Sequence, residues 1–175
     1  MEIRRTANAG VLLTLDDVKI LLDGVSREVK PYPVTPPWER EALQQRYPDV
    51  IAFTHSHKDH YDPAFAALYQ KQTSGVILGP TDLPGCKATM EHITVGGVKV
   101  TPIPSRHIGA AGKTTAHASF VVEGSKCIYF LGDSSPVQWK NREEDTIGLW
   151  DAVTSVIKDE AEKPIILAMS ETICI

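Results

Sequence analysis

Cysteine is scarce. Cys86, Cys127 and Cys174 are the only three in 175 residues; an odd number set far apart argues against a disulfide framework and for thiols kept reduced. Positive charge is not concentrated either. Lys and Arg number 18 against 22 Asp and Glu, for a net charge of −4, and no dense basic block offers a surface for a phosphate backbone, so nucleic acid is disfavoured as a partner. No apolar run approaches the roughly 20 residues that a membrane-crossing helix needs. The opening Met1-Glu2-Ile3-Arg4-Arg5 lacks the apolar core of a signal peptide, and the expectation is a cytoplasmic protein with no membrane partner. Internal repeats, low-complexity stretches and linkers are absent. With an ordinary hydrophobic share of 42% and charged share of 23%, this predicts one globular domain over residues 1–175. A nucleophile elbow is missing as well: Ser134 and Ser135 follow Gly132-Asp133 outside any recognisable triad setting and read as turn or supporting residues.

What is present is a series of apolar runs punctuated by turns. Val11 to Leu15 and Val18 to Leu22, separated by Asp16-Asp17, predict a β-hairpin that Asp23-Gly24 ends. Pro31, Pro33, Pro36 and Pro37 then exclude a helix or central strand until Trp38. Thr35 is placed to cap a helix running to about Tyr47, with Trp38, Ala42 and Leu43 on one face. Val50 to Phe53 predicts a buried strand, Asp62-Pro63 the start of a helix over Ala64 to Gln72, and Val76 to Leu78 another strand. The second half is richer in strands: Ile93 to Val95, Val98 to Ile103, Ala118 to Glu123 and Ile128 to Leu131, with turns at Gly96-Gly97 and Gly124-Ser125. An amphipathic helix from Thr146 to about Glu160 and a last strand from Ile165 to Ala168 complete the reading.

Three of these strands end in polar residues. The strand from Val50 runs into His55-Ser56-His57-Lys58-Asp59-His60, half of the six histidines and a carboxylate in one short stretch. Neutral imidazole and carboxylate are the donors a borderline divalent ion prefers. The strand from Val98 ends in Pro104-Ser105-Arg106-His107, and the strand from Ile128 ends in Gly132-Asp133. In each case an apolar strand fixes the backbone while its end presents a donor, so His107 and Asp133 are candidates to complete a site begun by His55, His57, Asp59 and His60. His92 and His117 fall on predicted strands and read as structural histidines.

This arrangement resembles the metallo-β-lactamase superfamily, whose hallmark loop His-x-His-x-Asp-His stands here as His55 to His60. The likeness covers most of the chain, from the early hairpin closing on Asp23 through the loop and His107 to Tyr129-Phe130-Leu131-Gly132-Asp133. It implies an α+β fold, an αβ/βα sandwich with the metals at one edge of the sheets. It also implies roles: His55, His57 and His107 holding one ion, Asp59 and His60 facing a second, Asp133 bridging the two, and Asp23 bracing the loop by hydrogen bonds. Zinc is the usual ion, one or two per chain, with iron or manganese in some members. Such ions lower the pKa of a water from about 15.7 toward 7, with Asp59 orienting it or taking its proton as the catalytic carboxylate. The implied activity is hydrolysis of a small ester, lactone or phosphodiester. Two-metal members normally carry a further histidine after the Gly-Asp, whereas no histidine follows His117, and no apolar strand is legible between Trp139 and Thr146. The chain therefore reads as a member incomplete in its second half, with a defective second ion site. A non-catalytic or weakly active metal-binding relative, and a tRNA-processing-type nuclease, stand as alternatives.

Overall fold

The first hairpin forms where the sequence places it. Strand β2 (Val11–Leu15) pairs antiparallel with β3 (Val18–Leu22), and both turn residues, Asp16 and Asp17, take positive φ of 50° and 66°, the conformation a two-residue hairpin turn demands. This computed structural model describes residues 1–7, 9–27, 34–108 and 114–134, together with the backbone of 165–167. The helix expected over Thr146 to Glu160, and the stretch between Trp139 and Thr146, lie outside these residues.

The remaining described elements are β1 (Glu2–Arg5), α1 (Pro37–Gln45), β4 (Val50–Ala52), α2 (Pro63–Thr73), β5 (Ile77–Leu78), β6 (Ala88–Thr89), β7 (Ile93–Val95), β8 (Val98–Arg106), β9 (Ala116–Glu123), β10 (Cys127–Phe130) and β11 (Ile165–Leu167). They form two sheets, ordered β1-β2-β3-β4-β5-β6 and β11-β10-β9-β8-β7. In the first sheet β3, β4, β5 and β6 run parallel. In the second, β11 runs parallel to β10 and the other neighbours are antiparallel. The period-2 alternation of side chains decides what each face touches. Leu13, Ile20, Leu22, Val50 and Ala52 from the first sheet meet Val100, Phe120, Val122, Ile128 and Phe130 from the second in one core. Leu21, Ile51, Phe53 and Ile77 point the other way and pack against Leu43 of α1 and Phe65, Ala66 and Tyr69 of α2. Each such large apolar side chain contributes about 1.5–3 kcal/mol on burial. The result is the α+β sandwich the sequence predicts.

Helix α2 begins as expected, Asp62 accepting hydrogen bonds from the N–H groups of Ala64 (2.8 Å) and Phe65 (3.3 Å), which satisfies two orphan donors of the first turn. Helix α1 departs from expectation. Its N-cap is Pro36, with no side-chain cap; Thr35 instead accepts the N–H of Ser26 at 2.9 Å, pinning the segment that follows β3. Trp38 is 65% exposed and Glu39 only 2%, because Glu39 receives a two-point pair from Arg4 of β1 at 2.6 and 2.9 Å. The helix therefore buries a paired carboxylate beside Leu43, and not the indole. No helix among the described residues is long and apolar enough to cross a membrane, and no disulfide joins the described cysteines Cys86 and Cys127.

Candidate metal centre

The ends of β3, β4, β8 and β10 and the start of β9 meet at one edge of the sandwich. Two links hold the sheets together there. The N–H of Ala118 in β9 donates to the carbonyl of Thr54 at 2.8 Å, and Gly132, just past β10, passes so close to Thr54 that a Cβ on it would lie 2.5 Å from Cγ2. Gly132 also has φ +59°, which lets the chain turn and aim Asp133 back over the edge.

Four of the sequence-predicted residues converge: ligand atoms of His55, His57, His107 and Asp133 all lie within 4.8 Å of one another. Asp133 Oδ2 is 3.2 Å from His107 Nε2 and 3.9 Å from His55 Nε2. Its other oxygen, Oδ1, is 3.3 Å from His60 Nε2, which in turn lies 3.6 Å from Asp59 Oδ2. Asp133 thus faces the three-histidine group with one oxygen and the His60–Asp59 pair with the other. His92 is exposed just before β7 and takes no part.

Three of the imidazoles, those of His55, His60 and His107, are fixed through their far nitrogen. His60 Nδ1 is 2.8 Å from Asp23 Oδ2. Asp23, fully buried, also accepts the N–H and hydroxyl of Thr54, both at 2.7 Å. Since that hydroxyl has one proton and gives it to Asp23, its oxygen is left to accept from His55 Nδ1 at 2.8 Å. His107 Nδ1 donates to the carbonyl of Ile108 at 2.8 Å. Three rings are held with Nδ1 facing a fixed partner and Nε2 turned inward, the orientation that offers a metal the Nε2 lone pair once any proton on it has left. Nε2 of His55 is buried with no hydrogen-bond partner, and Nε2 of His107 meets only Asp133 Oδ2, at 3.2 Å. A buried polar nitrogen left without a partner is costly, and a cation shared with His57, His107 and Asp133 is what this donor set fits.

The electrostatics follow from burial and from Asp133. Burial, with the neighbouring imidazoles, holds His55 far below the ordinary histidine value and lowers His57. Against the pull of burial, the charge of Asp23 and hydrogen bonds to Asp133 and Asp23 push His60 up to about 10. Hydrogen bonds to Asp133 and the Ile108 carbonyl likewise overcome burial and raise His107. Asp133, although burial opposes its charge, is held well below the usual carboxylate range by His107 and His60. Asp23 is raised by burial, so Asp23 and His60 keep one proton between them through neutral pH.

Sequence reasoning missed the part played by His117. It is no neighbour of the cluster by accident: its Nε2 accepts the backbone N–H of Asp133 at 3.2 Å and its Nδ1 lies 2.7 Å from Ser105 Oγ. The only advance signal was its place two residues before a serine on the same strand face. Ser134 is a buried turn residue, its N–H 3.4 Å from the Leu131 carbonyl, and Ser135 lies outside the described residues.

No protein-family profile matches the chain, and no curated protein is similar to it in sequence at a significant level. Solved structures do match. An isothiocyanate hydrolase from Delia radicum gut bacteria superposes with a TM-score of 0.53 at 18% identity, over 74% of this chain and 61% of its own. A possible metal-dependent hydrolase from Veillonella parvula gives 0.54 at 16% identity, over 73% and 60%. A metallo-β-lactamase with a HARLDQ motif from Cronobacter sakazakii gives 0.52 at 16% identity, over 95% and 75%. The chain thus spans about three fifths of the first two proteins. At these identities the likeness shows the fold alone, and the chain has the metallo-β-lactamase fold.

Proposed function

We propose that this protein is a metal-dependent hydrolase of a small ester, lactone or phosphodiester, with zinc the ion that its three-imidazole, one-carboxylate set suits best. The reading rests on one observation above others: the Nε2 of His55 is buried without a partner inside a cluster whose other ligand atoms, from His57, His107 and Asp133, all lie within 4.8 Å of it and of one another. A divalent ion held by His55, His57, His107 and Asp133 supplies Lewis acidity and lowers the pKa of a water toward 7. The protein's own groups do the rest. Thr54 and the Ile108 carbonyl keep two of the imidazoles in the required tautomer, so that no reorientation is needed when the site is used. Asp59, with its side chain 22% exposed beside His60, stands at the mouth, where it can orient a water and take its proton. No protein nucleophile is required. The net charge of −4 favours a small substrate over a nucleic acid.

A second reading is a non-catalytic or weakly active metal-binding protein. What favours it is the uneven division of donors: only one four-donor cluster occurs among the described residues, and Asp59 and His60 share Asp133 with it. Elemental analysis of protein purified without chelator separates these cases from a metal-free one. About one ion per chain is expected, and His57→Ala should lose most of it; unchanged content in that variant would sink the assignment. Ester, lactone and phosphodiester substrates assayed while zinc or manganese is titrated then decide between hydrolase and binder, because a bound ion with no turnover on any of the three favours the second reading.

A further inference from the structure

We infer that His117 is the positioning residue for Asp133, acting as a hydrogen-bond acceptor at Nε2 in a tautomer fixed by Ser105 and Ser119. The inference rests on the reading of Asp133 as an ion-binding carboxylate. Ser105 in β8 and His117 in β9 are direct cross-strand partners, and Ser119, two residues on, shares the face of His117. The order of donors is forced from both ends. The amide of Asp133 can only donate, so His117 Nε2, 3.2 Å away, must be bare, and the ring proton sits on Nδ1, from where it goes to Ser105 Oγ at 2.7 Å. At the other end the Leu131 carbonyl can only accept, which takes the Ser119 proton at 3.0 Å. Ser105 then gives its own proton to Ser119, whose oxygen is 3.0 Å away.

This chain of bonds grips the turn that carries Asp133. Ser119 holds the carbonyl of Leu131, His117 holds the N–H of Asp133, and the N–H of Ile108 donates to the carbonyl of Asp133 at 2.9 Å. The third grip also ties Asp133 to His107, whose Nδ1 donates to the Ile108 carbonyl. Two other readings are excluded by the same geometry. His117 has no nitrogen left for an ion, and Ser105 is not an activated nucleophile, because it accepts a proton from the imidazole instead of yielding one.

The tautomer is tested directly on the wild-type protein. Long-range proton–nitrogen NMR correlations of a 15N-labelled sample should show His117 neutral with Nδ1 protonated; an Nε2–H tautomer would overturn the inference. The consequence is tested by zinc titration with His117→Leu, His117→Gln and Ser105→Ala, and by the absorption spectrum after cobalt(II) is bound. His117→Leu should weaken zinc binding by about 10- to 100-fold and alter the cobalt spectrum. His117→Gln, whose amide can accept from Asp133 and donate to Ser105, should recover most of the affinity and the spectrum, with Ser105→Ala between. Should the leucine variant fail to fold, the glutamine rescue and the wild-type tautomer still decide. Wild-type protein that takes up neither ion would overturn the reading of the site itself. Normal uptake with an unchanged spectrum in every variant would instead overturn only the role of His117.

Discussion

Asp23 shows how one residue can govern a site it does not enter. Its carboxylate is fully buried and takes three hydrogen bonds, two from Thr54 and one from His60, so it sets the orientation of His60 directly and of His55 through the Thr54 hydroxyl. Removing one partner of a buried charged pair costs about 3–5 kcal/mol. Asp23→Ala should therefore lose on the order of 3 kcal/mol in urea denaturation of the metal-free protein; a loss below 1 kcal/mol would show that the carboxylate is not what holds the loop. The histidines make a second prediction. His117 is pushed down to about 3 by burial and the neighbouring His107, and His55 is lowered too. A histidine whose folded pKa is depressed stabilises fully above its unfolded value, near 6.5, and that contribution is lost as pH falls below it. His60 has the opposite sign: with its pKa raised to about 10, its contribution is complete below about 6.5 and disappears as pH rises through 10. Metal-free protein should therefore lose stability on the acid side between pH 6.5 and 3, by up to about 1.4 kcal/mol per pH unit for each buried neutral histidine. Urea midpoints across that range measure it, and a flat profile would mean that these rings are already charged in the fold. The six candidate donors were legible because His, Asp and strand ends are local facts. His117 was not, because its importance comes from the backbone of Asp133, which only the β9–β10 pairing brings to it.

At the scale of elements, the strands of the second half and the first hairpin were legible from apolar alternation and turn residues, and they run close to expectation: Val98 to Ile103 extends to Arg106, and the strand read from Ala118 begins at Ala116. Strand β1 was not foreseen. Glu-Ile-Arg-Arg is exposed along its whole length and has no apolar face to announce it; β2 recruits it by backbone pairing. The buried face of α1 was misread for a related reason, since a carboxylate at position 39 looks solvent-facing until Arg4 reaches it. The turn between β10 and Asp133 is an element with no margin. An alanine at Gly132 would have to hold φ near +59° and place its Cβ within 2.9 Å of three Thr54 atoms. Thr54 cannot retreat, as its N–H and hydroxyl are both committed to Asp23. Backbone strain of this type costs about 1–3 kcal/mol, so Gly132→Ala should lower the unfolding free energy by at least that much and weaken zinc uptake in parallel. Full stability and unchanged zinc affinity would show that the turn relaxes and that Asp133 does not depend on it.

Across the whole molecule the two sheets are clamped at both ends, by Ala118 to Thr54 at the site and by Asp16, which accepts the N–H of Ser125 at 2.6 Å as well as its hydroxyl, at the far end. Rigid sheets thus deliver donors from positions 55 to 133 into a space a single ion could fill. That convergence could be expected from three strands ending in polar residues, but the arrangement of protons in the space could not, because it depends on burial and on which oxygen of Asp133 each ring meets. Without an ion the positive charge at this edge is carried by protons: His60 holds one near neutral pH with Asp23, and His107 is raised by Asp133. An ion bound by His107 and Asp133 needs the Nε2 lone pair of the one and the charge of the other, so uptake must displace protons. Calorimetric titration of zinc near pH 7 in buffers of different ionisation enthalpy should then give an apparent enthalpy that varies linearly with the buffer's, with a slope of about one released proton. The same binding should stabilise the fold by about 2.7 kcal/mol when free zinc is 100 times its dissociation constant, seen as a higher thermal midpoint that His57→Ala does not share. Tight binding with no buffer dependence would show that His60 and His107 are already neutral in the metal-free protein, and that Asp133 awaits the ion without a proton as its stand-in.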